Sequence, residues 1–184
     1  MEDFNFDKVD DIQDYLDKHQ YIADRSLSTS LFLALKMKKP IFLEGEPGVG
    51  KTEVGKVLAK IMNTDLIRLQ CYEGLDVHNS IYEWNYSRQI LQIRMMELEG
   101  KVDRKTITDE IFGSKFLIKR PLYKAIDYSG KFPPVLLIDE LDRADEEFEA
   151  FLLEILSDYQ ISIPEIGTIK CDKPPIVVIT SNRT

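Results

Sequence analysis

The chain is short of cysteine, of histidine, of long apolar runs and of net positive charge, and each shortage closes off a class of protein. Its two cysteines, Cys71 and Cys171, lie far apart with no C-x-x-C partner, which argues against a disulfide framework and against a zinc site. Both are expected as reduced thiols packed as small hydrophobes. The two histidines, His19 and His78, have no ligand cluster around them and are expected as surface or packing residues. No stretch approaches the roughly 18 consecutive apolar residues of a membrane span. The first residues, MEDFNFDKVDD, are acidic where a secretion signal would be basic, so the expected location is cytoplasmic. There is no internal repeat and no low-complexity run. With 24 basic against 32 acidic residues the net charge is −8, and such a surface disfavours broad nucleic-acid binding, although a local basic patch is compatible with it.

What is present fits one domain or slightly more: 184 residues, 43% hydrophobic and 30% charged. Glycine and proline act as punctuation. Residues 8–18 place Val9, Ile12 and Leu16 on one face after Asp7, which predicts a short capped helix. Ser28 or Thr29 is the expected cap of a second helix, ended at Lys38-Lys39-Pro40. A strand at Ile41-Phe42-Leu43 follows. Val54, Val57, Leu58 and Ile61 recur at helical spacing, and Leu66-Ile67-Arg68-Leu69 reads as a strand. Between Cys71 and Gly130 the pattern is faint. A helix over 86–99 with Ile90, Ile93 or Leu91, and Leu98 as its apolar stripe is expected, then a polar joint at 100–105 and a short helix near 106–111. Val135-Leu136-Leu137-Ile138 is a continuous apolar run of the kind found in a strand covered on both faces. Residues 145–159 form a clear helix, with Phe148, Phe151, Leu152, Ile155, Leu156 and Tyr159 on one stripe. A hairpin over 161–169 and a strand at Ile176–Thr180 complete the series. Alternating strands and helices predict an α/β three-layer architecture.

Gly45-Glu46-Pro47-Gly48-Val49-Gly50-Lys51-Thr52 satisfies G-x-x-x-x-G-K-[ST]. Glycines let backbone N–H groups turn toward a phosphate with no Cβ in the way. The helix that follows adds the positive end of its dipole. Lys51 would reach the β- and γ-phosphates, and the Thr52 hydroxyl would ligate Mg²⁺. The motif has the required context, with a buried strand before it and an amphipathic helix after it. These features predict binding of a nucleoside triphosphate, ATP, with Mg²⁺.

A phosphate loop needs a second strand that ends in acid, and Val135–Ile138 runs into Asp139-Glu140. Asp139 is the candidate second metal-binding residue beside Thr52. Glu140 is the candidate that orients, or takes the proton from, an attacking water. That tandem separates a water-activating ATPase from small-molecule kinases and GTPases, which do not generally need the glutamate. The strand Ile176–Thr180 ends in Ser181-Asn182. Asn182 either sits between the γ-phosphate and that water or simply opens a turn, a common role for Asn.

These elements, in this order, resemble the AAA+ ATPase superfamily. More narrowly the chain resembles the MoxR group and its CoxD-like members. That narrower match rests on Phe42–Val54, Leu69–Asp76, Tyr82-Glu83-Trp84-Asn85-Tyr86, Leu137–Asp145 and Thr180–Thr184. The resemblance implies a P-loop NTPase αβα sandwich with a mainly parallel sheet. It makes Lys51 and Thr52 the Walker A residues, Asp139 and Glu140 the Walker B pair, and Asn182 sensor 1. Glu46, Pro47, Gly48, Val49 and Gly50 would surround the phosphates, and Tyr21 and Ile22 would border the adenine. Residues 1–184 would be the nucleotide-binding subdomain, with a helical segment at 1–39 and an insertion at about 72–130.

By the same resemblance the full-length protein is a hexameric homo-oligomer. It would act as a maturation chaperone for a molybdenum hydroxylase. A nucleic-acid motor and a P-loop switch without turnover are the alternatives. Arg143 and Arg183 either face a neighbouring protomer or are solvated, and the segment around Trp84 either meets a client or packs. The family continues past sensor 1 to an arginine finger and a helical lid with sensor 2, neither of which falls within these residues. Such an arginine is worth about 10³–10⁵ in rate. The 184-residue segment is therefore expected to bind ATP and hydrolyse it very slowly; phosphate release at the rate of an intact hexameric ATPase would overturn this.

Overall fold

The structure, a computed structural model, describes residues 6–100 and 104–182. Arg183, Thr184 and residues 101–103 of the expected polar joint lie outside them. The chain opens with α1 (Val9–Lys18) and α2 (Arg25–Met37). Helix α1 buries Ile12 and Leu16 as its periodicity requires. Its N-cap is Lys8, one residue later than expected, because the Asp11 carboxylate accepts from the N–H groups of both Asp7 and Lys8 at 2.9 Å. Helix α2 starts before Ser28, since Asp24 accepts from Leu27 N–H at 2.7 Å and caps it first. Ser28 and Thr29 instead donate to the carbonyls of Asp24 and Arg25, one turn back.

The central layer is a four-stranded parallel sheet of β1 (Ile41–Glu44), β2 (Leu66–Gln70), β5 (Val135–Asp139) and β8 (Ile176–Ser181), in the order β1-β8-β5-β2. Every residue of β5 is buried. Side chains alternate across a strand, so Leu136 and Ile138 join one core cluster while Val135 and Leu137 join the other. Both faces are covered, which is why the run reads as continuously apolar. Helix α3 (Lys51–Ile61) packs on one face through Val54, Val57, Leu58 and Ile61. Gly55 brings it close: a Cβ there would stand 3.3 Å from Leu137 Cδ1. On the other face lies α8 (Glu146–Asp158), burying Phe148, Leu152, Ile155 and Leu156. Asp145 caps it by accepting from Phe148 N–H at 2.8 Å. These layers are the α/β sandwich expected of a phosphate-loop NTPase.

Between β2 and β5 stand α4 (Val77–Ile81), β3 (Tyr82–Trp84), α5 (Tyr86–Leu98), α6 (Arg104–Ile111), β4 (Leu117–Lys119) and α7 (Pro121–Ile126). Strands β3 and β4 pair antiparallel, Trp84 opposite Leu117. Trp84 is buried edge-on against Phe112 and Tyr82, with ring centroids 5.3 and 6.0 Å away. It is a packing residue, whereas Tyr86 beside it is exposed. The expected apolar stripe of α5 is corrected: Ile90, Leu91 and Leu98 face outward, and the buried residues are Gln89 and Met96. Gln89 is admitted because its amide donates to Ile111 O at 2.8 Å. The hairpin β6 (Gln160–Ile163) and β7 (Gly167–Lys170) forms where the sequence places it.

Leu137 is wholly buried between β5 and α3. Leu137→Ala should lower unfolding free energy by about 2–5 kcal/mol in a urea titration, the usual cost of a core cavity.

Candidate functional site

The phosphate loop leaves β1 at Glu44 and enters α3 at Lys51. Gly48 and Gly50 take φ of +85° and +92°, left-handed values that any larger residue would adopt only under strain. Gly50 is the N-cap of α3, so the unpaired N–H groups of the first helical turn open onto the loop. Lys51 folds over it: its ammonium donates to the carbonyls of Gly45 and Glu46 at 2.7 and 2.6 Å. The side chain is thus already held beside the loop rather than extended into solvent.

One residue further, the Thr52 hydroxyl donates to Asp139 Oδ1 at 2.9 Å, across 87 positions of sequence. Asp139 is 1% exposed, and a carboxylate so placed needs donors around it. Thr180 on β8 supplies a second hydroxyl to Oδ1 at 2.6 Å, and Arg68 on β2 donates to Oδ2 at 2.5 Å. Burial pushes the Asp139 pKa up. The hydrogen bonds from Thr180, Thr52 and Arg68, with the guanidinium charge, outweigh it and hold the carboxyl below its ordinary value. Nearby, burial and the field of Asp139 push the Cys71 thiol up to about 12. This keeps it protonated and a poor nucleophile.

Glu140 follows with φ of +56°, an uncommon conformation for a non-glycine residue. Two contacts anchor it: its N–H donates to Thr180 Oγ1 at 3.0 Å, and its carboxylate meets Arg143 Nε at 2.9 Å. Arg143 therefore engages its own chain's acidic pair, a role the sequence reading did not consider. Asn182 is drawn to the same corner, its backbone N–H donating to Asp142 at 2.8 Å. Beside the loop lies a cleft of about 430 Å³, whose lining includes Tyr21, Asp24, Leu27, Val49 and Lys51. Tyr21 packs against Gly50, its ring 3.7 Å from where a Cβ would stand. Ile22 points away and is 93% exposed. Glu46, Pro47, Gly48 and Val49 form the exposed rim of the loop.

The structure thus brings Lys51, Thr52, Asp139, Glu140, Asn182 and Tyr21 to one end of the sheet and leaves Ile22 outside. Sequence reading missed Arg68, Thr180 and Asp142. The signal for Arg68 was a lone charge inside an apolar strand. Thr52 and Asp139 form an all-oxygen donor set suited to a hard divalent cation. Among the described residues no group of three or more His, Cys, Asp or Glu could cage a metal. Such a cation would need phosphate and water to complete its shell, as Mg²⁺ commonly does.

Residues 40–184 match the family described as the AAA domain, dynein-related subfamily. The chain belongs to that family. It is an AAA-type ATPase domain. Among curated proteins it is similar to the Lon protease of Amoebophilus asiaticus, at 32% identity over 145 residues, covering 77% of this chain and 14% of the protease. The Lon protease of Cytophaga hutchinsonii is 30% identical over 169 residues, or 86% of this chain and 17% of that one. Among solved structures, a Cytophaga hutchinsonii protein assigned as an ATPase shares the fold with a TM-score of 0.60. It is 22% identical, over 96% of this chain and 44% of that one. The chain therefore spans less than a fifth of these two proteases and less than half of the solved ATPase. No helix among its described residues is long and apolar enough to cross a membrane.

Thr180 joins the two acidic residues of the AAA site through one hydroxyl. Thr180→Val would strip Asp139 of a donor and leave the Glu140 N–H without its acceptor. The expected loss is about 1–3 kcal/mol of stability, read from the shift of a urea unfolding curve at constant slope.

Proposed function

We propose that this site binds ATP with Mg²⁺ and hydrolyses it by activating water. The observation that carries the reading is the contact between Thr52 and Asp139 at 2.9 Å, a hydroxyl from the phosphate loop meeting a buried carboxylate. Lys51 would exchange the carbonyls of Gly45 and Glu46 for the β- and γ-phosphate oxygens. The N–H groups along Glu46–Gly50 would line the phosphates, and Tyr21 would flank the base. Thr52 and Asp139 would hold the cation, which when bound neutralises phosphate charge. Glu140 would orient the water and accept its proton, and Asn182 would hold that water against the γ-phosphate.

We read residues 1–184 as the nucleotide-binding part of a MoxR-group, CoxD-like chaperone that works as a hexameric ring on a molybdenum hydroxylase. Support comes from the segments that resemble that group, Leu69–Asp76 and Tyr82–Tyr86 among them. Residues 1–39 would be its N-terminal helical segment and about 72–130 its helical insertion. A molybdenum enzyme recovered with the intact protein, and deficient in its metal centre when the protein is missing, would bear this out. A fully active molybdenum enzyme in that background would overturn it.

Two substitutions separate the roles at the site. In the intact protein Lys51→Ala should abolish ATP binding measured by calorimetry. Glu140→Gln should leave binding intact, lower turnover by about 10²–10⁴ and prolong the ATP-bound state. A Glu140→Gln protein that turns over ATP normally would exclude Glu140 as the base.

A further inference from the structure

Arg68 is the sole charged side chain of β2, and it lies beside the most buried carboxylate of the site. Its Nη2 donates in two directions, to Asp139 Oδ2 and to Gln70 Oε1, each at 2.5 Å. Oδ1 of the same carboxylate already accepts from Thr52 and Thr180. Both oxygens of Asp139 are therefore engaged, one by neutral hydroxyls and the other by a full positive charge. The two partners differ in freedom: the Asp139 side chain is 2% exposed and the Arg68 side chain 48%. Asp139 cannot turn away, whereas Arg68 can withdraw toward solvent and keep Gln70 as a partner.

A divalent cation at Thr52 and Asp139 meets this guanidinium in two ways. It must share one carboxylate with the guanidinium, and it is repelled by that like charge close by. We propose that Arg68 is a positioning residue that stands in for the cation, holding the Asp139 carboxylate aimed, and that it weakens cation binding until nucleotide phosphate supplies compensating negative charge. Cation and nucleotide then enter together, and a free metal ion loads the site only weakly. This inference rests on the assignment of Asp139 to the cation site.

Mn²⁺ serves as the probe, its free concentration read by electron paramagnetic resonance with and without ADP. Arg68→Met in the intact protein should bind Mn²⁺ without nucleotide about tenfold more tightly than the unsubstituted protein. The gain should shrink when ADP is present. Arg68→Gln, which can keep a contact with Gln70, should show the same gain, and Arg68→Lys, which keeps the charge, should not. In an Asp139→Asn background the gain should vanish. Unchanged or weaker Mn²⁺ binding in folded Arg68→Met and Arg68→Gln, with Asp139→Asn still impairing binding, would overturn the role of Arg68 alone. If Asp139→Asn leaves Mn²⁺ binding with ADP unchanged, the cation-site assignment fails and the proposal with it.

Discussion

Asp139 lies at the end of the central strand with almost no exposed surface, and a charge in such a place is tolerated only where donors surround it. Those donors come from three other elements: Thr52 from the first turn of α3, Thr180 from β8 and Arg68 from β2. The carboxylate is therefore a junction as well as a candidate metal-binding group. Displacing any one of the three elements would leave it short of a donor. The geometry of the candidate site and the stability of the fold meet in the same atoms.

The sheet order follows the same constraint. With β5 between β8 and β2, Thr180 and Arg68 flank the carboxylate on its two sides. Strand β1 lies one place further out, beyond β8, so the phosphate loop reaches Asp139 only because α3 crosses back over β5. The close approach of Gly55 to Leu137 permits that crossing. Glu140 then sits in a left-handed conformation pinned by Thr180 and Arg143. Strain of this kind persists where surrounding contacts over-determine a residue.

Long, strongly patterned elements were legible. The stripes of α3 and α8 and the doubly buried β5 appear where periodicity places them, because burial on one face, or on two, leaves a direct trace in residue order. The phosphate loop was legible for a different reason: its glycines and lysine answer to local backbone geometry. The region from Cys71 to Gly130 was not. Elements of three to six residues, such as β3, β4 and α7, are shorter than the window in which a period can be seen. In α5 the apolar residues Ile90, Leu91 and Leu98 face outward while Gln89 is buried, so hydrophobicity pointed to the wrong face. A single hydrogen bond from Gln89 to Ile111 reconciles that burial, and no local pattern encodes it.

The residue order by itself determined the α/β class, the phosphate loop, the acidic tandem and the strand tip that follows it. Each depends on interactions between near neighbours in the chain: turn conformations, helix faces and strand alternation. Only the tertiary structure decided which side chains meet. Arg68 and Thr180 entered the site because the parallel sheet aligns strands distant in sequence, Asp142 entered through the bond it accepts from the Asn182 N–H just past β8, and Ile22 is left outside, 93% exposed. Glu140 and Arg143 pair only three residues apart, whereas the pairing of Asp139 with Arg68 belongs to the same class. It arises from packing of the folded chain around a buried charge.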